Sequence, residues 1–243
     1  LPGPKTYQLP NSSKKLRNWT GRECGPEGKV TLRQALAISC NTAFAWLGNE
    51  LGAAAIRDQA EAFGFNSGFN IPLRAATSLF PQDPDAPQTA LSAIGQFEVR
   101  ATALQMAMVA ASIGNSGRTM NPYLVQEIRG PDLSILQTTE PTQFEDALKP
   151  SNSLSLTEML VNVVENGTGS NAQIAGVRVA GKTGTAQTGN DSPSVAWFIS
   201  FAPAAAPKVA VAVVIEESGL AEVSGNGLAA PIAKEVMKAV LGS

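Results

Sequence analysis

Apolar residues recur at helical spacing in several stretches of the chain, and gather into strand-length alternating or continuous runs in three others. Leu32, Ala35 and Leu36, then Ala43, Phe44, Leu47 and Leu51, hold helical spacing on either side of the polar triplet Ser39-Cys40-Asn41. Thr31-Leu-Arg-Gln34 reads as a capping box that opens the first of these segments. A polar triplet between two apolar helical segments costs stability and wants a reason. The spacing predicts another helix over Ala53 to Phe63, closed by Gly64. Ala101 to Ile113 is apolar on every side and predicts a buried central helix, stopped by Gly114-Asn-Ser-Gly117. Ser155-Leu-Thr-Glu158 reads as a second capping box, starting a helix that ends at Asn166-Gly167.

Three strands follow in succession. Val177 and Val179 are spaced for one face and lead into Gly181-Lys182-Thr183-Gly184-Thr185. Ala196 to Ala202 and Lys208 to Glu216, joined across Pro203 to Pro207, fit as its antiparallel neighbours. A last helix is expected over Leu228 to Leu241, with Pro231 acceptable in its first turn. The intervals are less regular. Residues 1–30 read as irregular lead-in. Asn66 to Thr89 reads as polar surface bordering a site, and Gly130 to Ser153 as another polar excursion. Tyr123 to Arg129 alternates weakly and reads as a strand. Helices, then three strands, then a helix predict an α+β fold, an antiparallel sheet flanked by helices in three layers. No boundary divides 31–243.

Composition narrows the chemistry. The 243 residues are 44% hydrophobic, enough for a sizeable core. Net charge is −2 with no basic stripe, so nucleic acid is not an expected partner. No apolar run approaches the roughly 20 residues of a membrane span. The chain opens without Met at Leu-Pro-Gly-Pro and reads as a piece of something longer. There is no histidine, which excludes a Ser-His-Asp triad, a Cys-His pair and a His-built metal site within the chain. A nucleophilic enzyme without histidine needs an amine, a carboxylate or water as its base. Cys24 and Cys40 allow either one disulfide, worth about 3 kcal/mol in the chain-entropy treatment, or two buried thiols.

Lys182-Thr183-Gly184 occurs once. One cation and two hydroxyls on a strand free of bulk suit a peptide-like ligand ending in a carboxylate; the plain alternative is a tight strand end with a solvated lysine. Ser-x-Asn occurs twice. Ser224-Gly225-Asn226 reads as a turn and N-cap. Ser39-Cys40-Asn41 reads as a functional junction or as a kink with locally bonded side chains.

Together, Ser39-Cys40-Asn41 and Lys182-Thr183-Gly184 resemble the motif set of the penicillin-recognising serine acyltransferases. Val30-Thr-Leu-Arg-Gln-Ala-Leu-Ala-Ile-Ser-Cys-Asn-Thr-Ala-Phe44 looks like the class B penicillin-binding protein version of that junction. So do Ile94-Gly-Gln96, Ala101-Thr-Ala-Leu-Gln-Met-Ala107, Gly167-Thr-Gly169, Val179-Ala-Gly-Lys-Thr-Gly-Thr-Ala-Gln187 and Ala196-Trp-Phe198. Within class B the chain most resembles the actinobacterial A type. The likeness runs from about residue 17 onward.

The resemblance implies a β-lactamase/transpeptidase-like fold and a D,D-transpeptidase that crosslinks peptidoglycan stem peptides, with no cofactor and no metal. It implies proton relay for Ser39, substrate positioning for Asn41 and positive potential from Lys182. Thr183 and Thr185 would hold a terminal carboxylate, and Gly184 would let the substrate pair along the strand. It also implies β-lactam antibiotics as ligands, a membrane glycan polymerase as partner, and the extracytoplasmic face of the plasma membrane, with an anchor upstream. In that compartment Cys24 and Cys40 are expected to be bonded.

The family's third motif, Ser-x-x-Lys, is matched only at Ser12-Ser-Lys-Lys15, which lacks a following apolar helix and lies too close before Ser39. The nucleophile is therefore expected upstream of Leu1, so that 31–243 is a transpeptidase domain lacking its N-terminal part. Glu158-Met-Leu-Val-Asn162 departs from a deacylation motif and reads as helix surface. A D,D-carboxypeptidase, a β-lactamase, and a non-catalytic penicillin- or peptidoglycan-sensing domain are the alternatives.

Overall fold

The computed structural model describes residues 1–186, 194–219 and 223–242. Gln187, the end of the Lys-Thr-Gly stretch, lies outside the described residues. In chain order the elements are β1 (Thr6–Gln8), β2 (Lys15–Arg17), α1 (Leu32–Ala37), α2 (Asn41–Leu51), α3 (Ala53–Ala62), α4 (Ala86–Ser92) and α5 (Ala103–Gly114). Then come β3 (Arg118–Met120), β4 (Glu127–Arg129), β5 (Ile135–Thr138), β6 (Gln143–Asp146) and α6 (Pro150–Asn166). The chain continues as β7 (Ala180–Ala186), β8 (Val195–Ala202), β9 (Val209–Ile215) and α7 (Ala230–Leu241).

The organising unit is the antiparallel sheet β7-β8-β9, with β7 at one edge. Strict alternation along these strands separates two cores. On one face, Phe198, Ala202 and Val211 pack with Ala230, Ala233 and Met237 of α7. On the other, Ala180 and Phe201 pack with Ala110 and Ile113 of α5 and Leu160 and Val161 of α6. Helices, sheet and helix therefore stack in three layers, the expected α+β arrangement.

Several local expectations need correction. Residues 1–30 are ordered, not an irregular lead-in. β1 and β2 form a hairpin, Pro2 bridges Lys29, and the Gly3 N–H donates to the Gly28 carbonyl at 2.7 Å. Three-residue strands are too short to leave a periodic signal. Asn66 to Thr89 contains the start of α4, opened by a full capping box between Asp85 and Gln88. The stretch Gly130 to Ser153 holds β5 and β6, which pair with β4 and β3 respectively. α6 starts at Pro150, one turn and more before the expected Ser155 box. Proline at a first helical position needs no amide partner. Ser155 Oγ instead donates back to the Ser151 carbonyl at 3.0 Å, and Glu158 pairs with Arg178 at 2.9 Å on the helix surface. At Thr31 half of the expected box is present: its hydroxyl accepts from the Gln34 N–H at 3.2 Å. β7 begins at Ala180 rather than Val177, while Val177 and Val179 both pack against the α7-side core.

Candidate functional site

The junction between α1 and α2 is a helix stop of defined geometry. The Cys40 N–H reaches the Ala35 carbonyl at 2.9 Å and the Ser39 N–H reaches the Leu36 carbonyl at 3.3 Å. This is the Schellman pattern, which asks its middle residue to be left-handed and is usually filled by glycine. Ser39 takes that position with φ of 57°. A serine there is strained by roughly 1 kcal/mol relative to glycine, so its hydroxyl must serve something the backbone does not need.

That something is Lys182. Its ammonium donates to Ser39 Oγ at 2.8 Å and to the Thr183 carbonyl at 2.8 Å. Two groups separated by 143 residues are thus joined by one hydrogen bond. Lys182 is partly buried as a residue, but its ammonium end sits deep among protein atoms. Desolvation penalises the charge and lowers its pKa from 10.5 to about 8. Among the described residues no carboxylate ion pair is formed by this lysine, so its positive potential is not spent on a neighbouring anion.

The junction is clamped from beneath. Cys40 is bonded to Cys24, with Cα atoms 6.0 Å apart. Buried Asn18 accepts from the Thr42 N–H at 3.0 Å while its amide donates to the Pro4 and Arg22 carbonyls. Asn41, the first residue of α2, donates to the Arg17 carbonyl at 3.3 Å. Ser12-Ser-Lys-Lys15 lies on the exposed β1–β2 hairpin, where the Lys14 N–H donates to Ser12 Oγ; it is not in a buried helix.

On the strand side, Lys182, Thr183, Gly184, Thr185 and Ala186 form one edge of a cavity of about 770 Å³. Its other walls are apolar, with Phe65, Phe80, Met106, Val109 and Trp197 among them. Within the Asn66 to Thr89 segment, Phe80 lines this cavity. Ser224 is an N-cap as expected, its Oγ accepting from the Gly227 N–H at 3.0 Å, but Gly225 and Asn226 open a π-helical segment over Gly225–Ala229 rather than a turn. The segment does more than follow a cap. A Cβ on Gly225 would lie 2.2 Å from the Trp197 carbonyl and 2.7 Å from that of Gly184, so only glycine lets this segment rest on the strand. The Gly225 N–H then donates to Thr185 Oγ1 at 3.4 Å.

Sequence reasoning gave no role to Thr168, Asn18 or Gly225. The sequence marks Gly167-Thr-Gly169 only as a point of family likeness. In the fold, Thr168 Oγ1 lies 2.8 Å from Thr183 Oγ1.

Residues 4–238 match the family described as penicillin binding protein transpeptidase domain. The peptidoglycan D,D-transpeptidase PbpA of Mycolicibacterium smegmatis is 44% identical over 243 aligned residues, covering 98% of this chain and 49% of that protein. The chain spans about half the length of the curated relatives it matches. The crystal structure of PBPA from Mycobacterium tuberculosis superposes with a TM-score of 0.92 at 43% identity, over 99% of this chain and 55% of that one. Its penicillin G acyl-enzyme complex gives a TM-score of 0.92 at 44% identity, again over 99% and 55%.

Proposed function

This chain belongs to the penicillin-binding protein transpeptidase family, and from that premise we propose that it forms two walls of a serine D,D-transpeptidase active site. The reaction is acyl transfer on peptidoglycan stem peptides. A serine in a Ser-x-x-Lys motif upstream of Leu1 attacks the carbonyl of the penultimate D-Ala. The C–N bond breaks, the terminal D-Ala leaves with a proton relayed through Ser39, and an acyl ester remains. An amine on a neighbouring stem peptide displaces the ester, forming the crosslink and restoring the serine. β-lactams acylate the same serine.

The observation that carries this reading is the 2.8 Å bond from Lys182 Nζ to Ser39 Oγ. It joins a cation that lines an apolar cavity to a hydroxyl at the α1–α2 junction, and burial of the ammonium strengthens their interaction. A second ammonium brought near Lys182 would disfavour charge on both, leaving one able to act as base without histidine. Asn41 positions the substrate amide. Thr183 and Thr185 hydroxyls hold the terminal carboxylate, Gly184 lets the substrate backbone run along the edge of β7, and the Thr185 N–H supplies half of the oxyanion site. The Cys24–Cys40 bond suits an oxidising, extracytoplasmic location. There the protein would be held by an upstream membrane anchor and work beside a glycan polymerase.

The test is mass mapping of the full-length protein after reaction with a labelled penicillin. The reading expects one adduct, on a serine upstream of Leu1. No adduct, or an adduct on Ser39, contradicts it.

A further inference from the structure

The turn between α6 and β7 touches both walls of the site. Gly167 sits so close to α1 that a Cβ there would lie 2.3 Å from the Ala37 carbonyl. The Thr168 N–H donates to that same carbonyl at 3.0 Å. Thr168 is thereby fixed to the end of α1, two residues before Ser39. Its hydroxyl faces across to β7, where it shares a 2.8 Å hydrogen bond with Thr183 Oγ1.

A threonine hydroxyl has one proton and can rotate. Thr183 can therefore spend its proton on Thr168, or accept from Thr168 and keep its proton for a ligand. An anion at the strand edge favours the second arrangement, because a hydroxyl that accepts one bond becomes a stronger donor in the next. Thr185 is served in the same way, since its oxygen accepts from the Gly225 N–H at 3.4 Å.

Resting on the acyltransferase reading above, we propose that Thr168 is a positioning residue for the substrate's terminal carboxylate: it donates to Thr183 Oγ1 and so turns the Thr183 proton toward the ligand. It touches neither the reacting carbonyl nor the nucleophile, so its effect falls on binding of the carboxylate and not on bond breaking. Because the same turn is braced on α1, it also holds the carboxylate anchor at a set distance from the Ser39 hydroxyl.

The experiment follows acylation of the full-length protein by benzylpenicillin and by its methyl ester, which lacks the free carboxylate. The pre-acylation dissociation constant and the acylation rate constant are resolved separately. For Thr168→Val the dissociation constant for benzylpenicillin is expected to rise about tenfold or more, as when a bond to a charged group is lost. The acylation rate constant should stay within about threefold, and the ester should react alike with both proteins. Thr168→Ser should return benzylpenicillin binding to the parental value. Should Thr168→Val fail to fold, Thr168→Ala carries the same expectation. Equal penalties for acid and ester, an unchanged dissociation constant, or a Thr168→Ser variant that fails to recover would each overturn the inference. An unmodified protein that does not react with benzylpenicillin would instead sink the acyltransferase reading itself.

Discussion

The two walls of the site are held in opposite ways. The Lys182 wall is regular structure: all seven residues of β7 pair with β8, from Ala180 opposite Phe201 to Ala186 opposite Val195. Buried Phe198 and Phe201 back it from the two faces. The Ser39 wall is an interruption of regular structure. It has a serine in left-handed backbone, a disulfide beneath and a buried asparagine bridging three backbone groups. A ladder of backbone bonds tolerates loss of any one side chain. A junction assembled from single tertiary contacts does not. The cation thus rides on the robust wall and its hydroxyl partner on the fragile one, and the bond between them depends on the fragile side keeping its place.

Perturbations should separate the walls. The largest effect is expected from Lys182→Ala. Removing a preorganised electrostatic group from a water-poor site slows acylation by about a thousandfold, while thermal unfolding shows β7 intact. Next comes the disulfide. Replacing Cys24 and Cys40 by serine should remove about 3 kcal/mol of stability in the chain-entropy treatment. Hydrogen exchange should quicken at Cys40 to Phe44 and stay protected along β7 and β8; equal loosening of both would erase the distinction drawn here. Ser39→Gly is a smaller and two-sided change. It should raise stability by about 1 kcal/mol, since glycine accepts left-handed backbone without strain, yet slow acylation about thirtyfold. A gain in stability without loss of acylation would make the hydroxyl irrelevant.

The smallest effect expected is on pH dependence. The folded protein holds Lys182 at about 8, below its ordinary 10.5. Between those values the unfolded chain binds the proton and the folded chain does not, so stability rises with pH across that window. The ceiling is about 3 kcal/mol, and partial exposure reduces it to about 1–2 kcal/mol. The destabilisation is fully present below pH 8. Lys182→Met should flatten the rise, as read by denaturant unfolding at pH 7.5 and pH 10.

What could be read from the sequence follows the same division. β8 and β9 were legible because each places alternate residues in two distinct cores, and β7 was legible from the Val177 and Val179 spacing that leads into it, although only Ala180 of the strand belongs to either core. Of the two small two-stranded sheets between Arg118 and Asp146, only β4 was legible, inside the weak alternation of Tyr123 to Arg129. Their strands are three or four residues long, and Leu124, Leu133 and Leu136 stay largely exposed, so no face is strongly selected and the period is weak or lost. α4 was hidden although its Asp85-x-x-Gln88 box is complete, because proline and aspartate around it read as loop. Ser155-x-x-Glu158 misled because the same letters inside a helix bond backward and outward instead.

In the site, the motif residues Ser39 and Lys182 could be found from their types and context. Thr168, Gly225 and Asn18 could not be given roles, since each reaches the site through a contact distant in sequence, 15, 40 or 24 residues away. Nothing local distinguishes such a threonine, glycine or asparagine from one in an ordinary turn.

The central claim is that Lys182 and Ser39 act as one unit through their 2.8 Å bond. A double-mutant cycle on penicillin acylation by the full-length protein tests it most directly. The account predicts that Ser39→Gly adds little to the loss already caused by Lys182→Ala, leaving the double variant within about threefold of the lysine variant. Losses that multiply, about thirtyfold on top of a thousandfold, would contradict it.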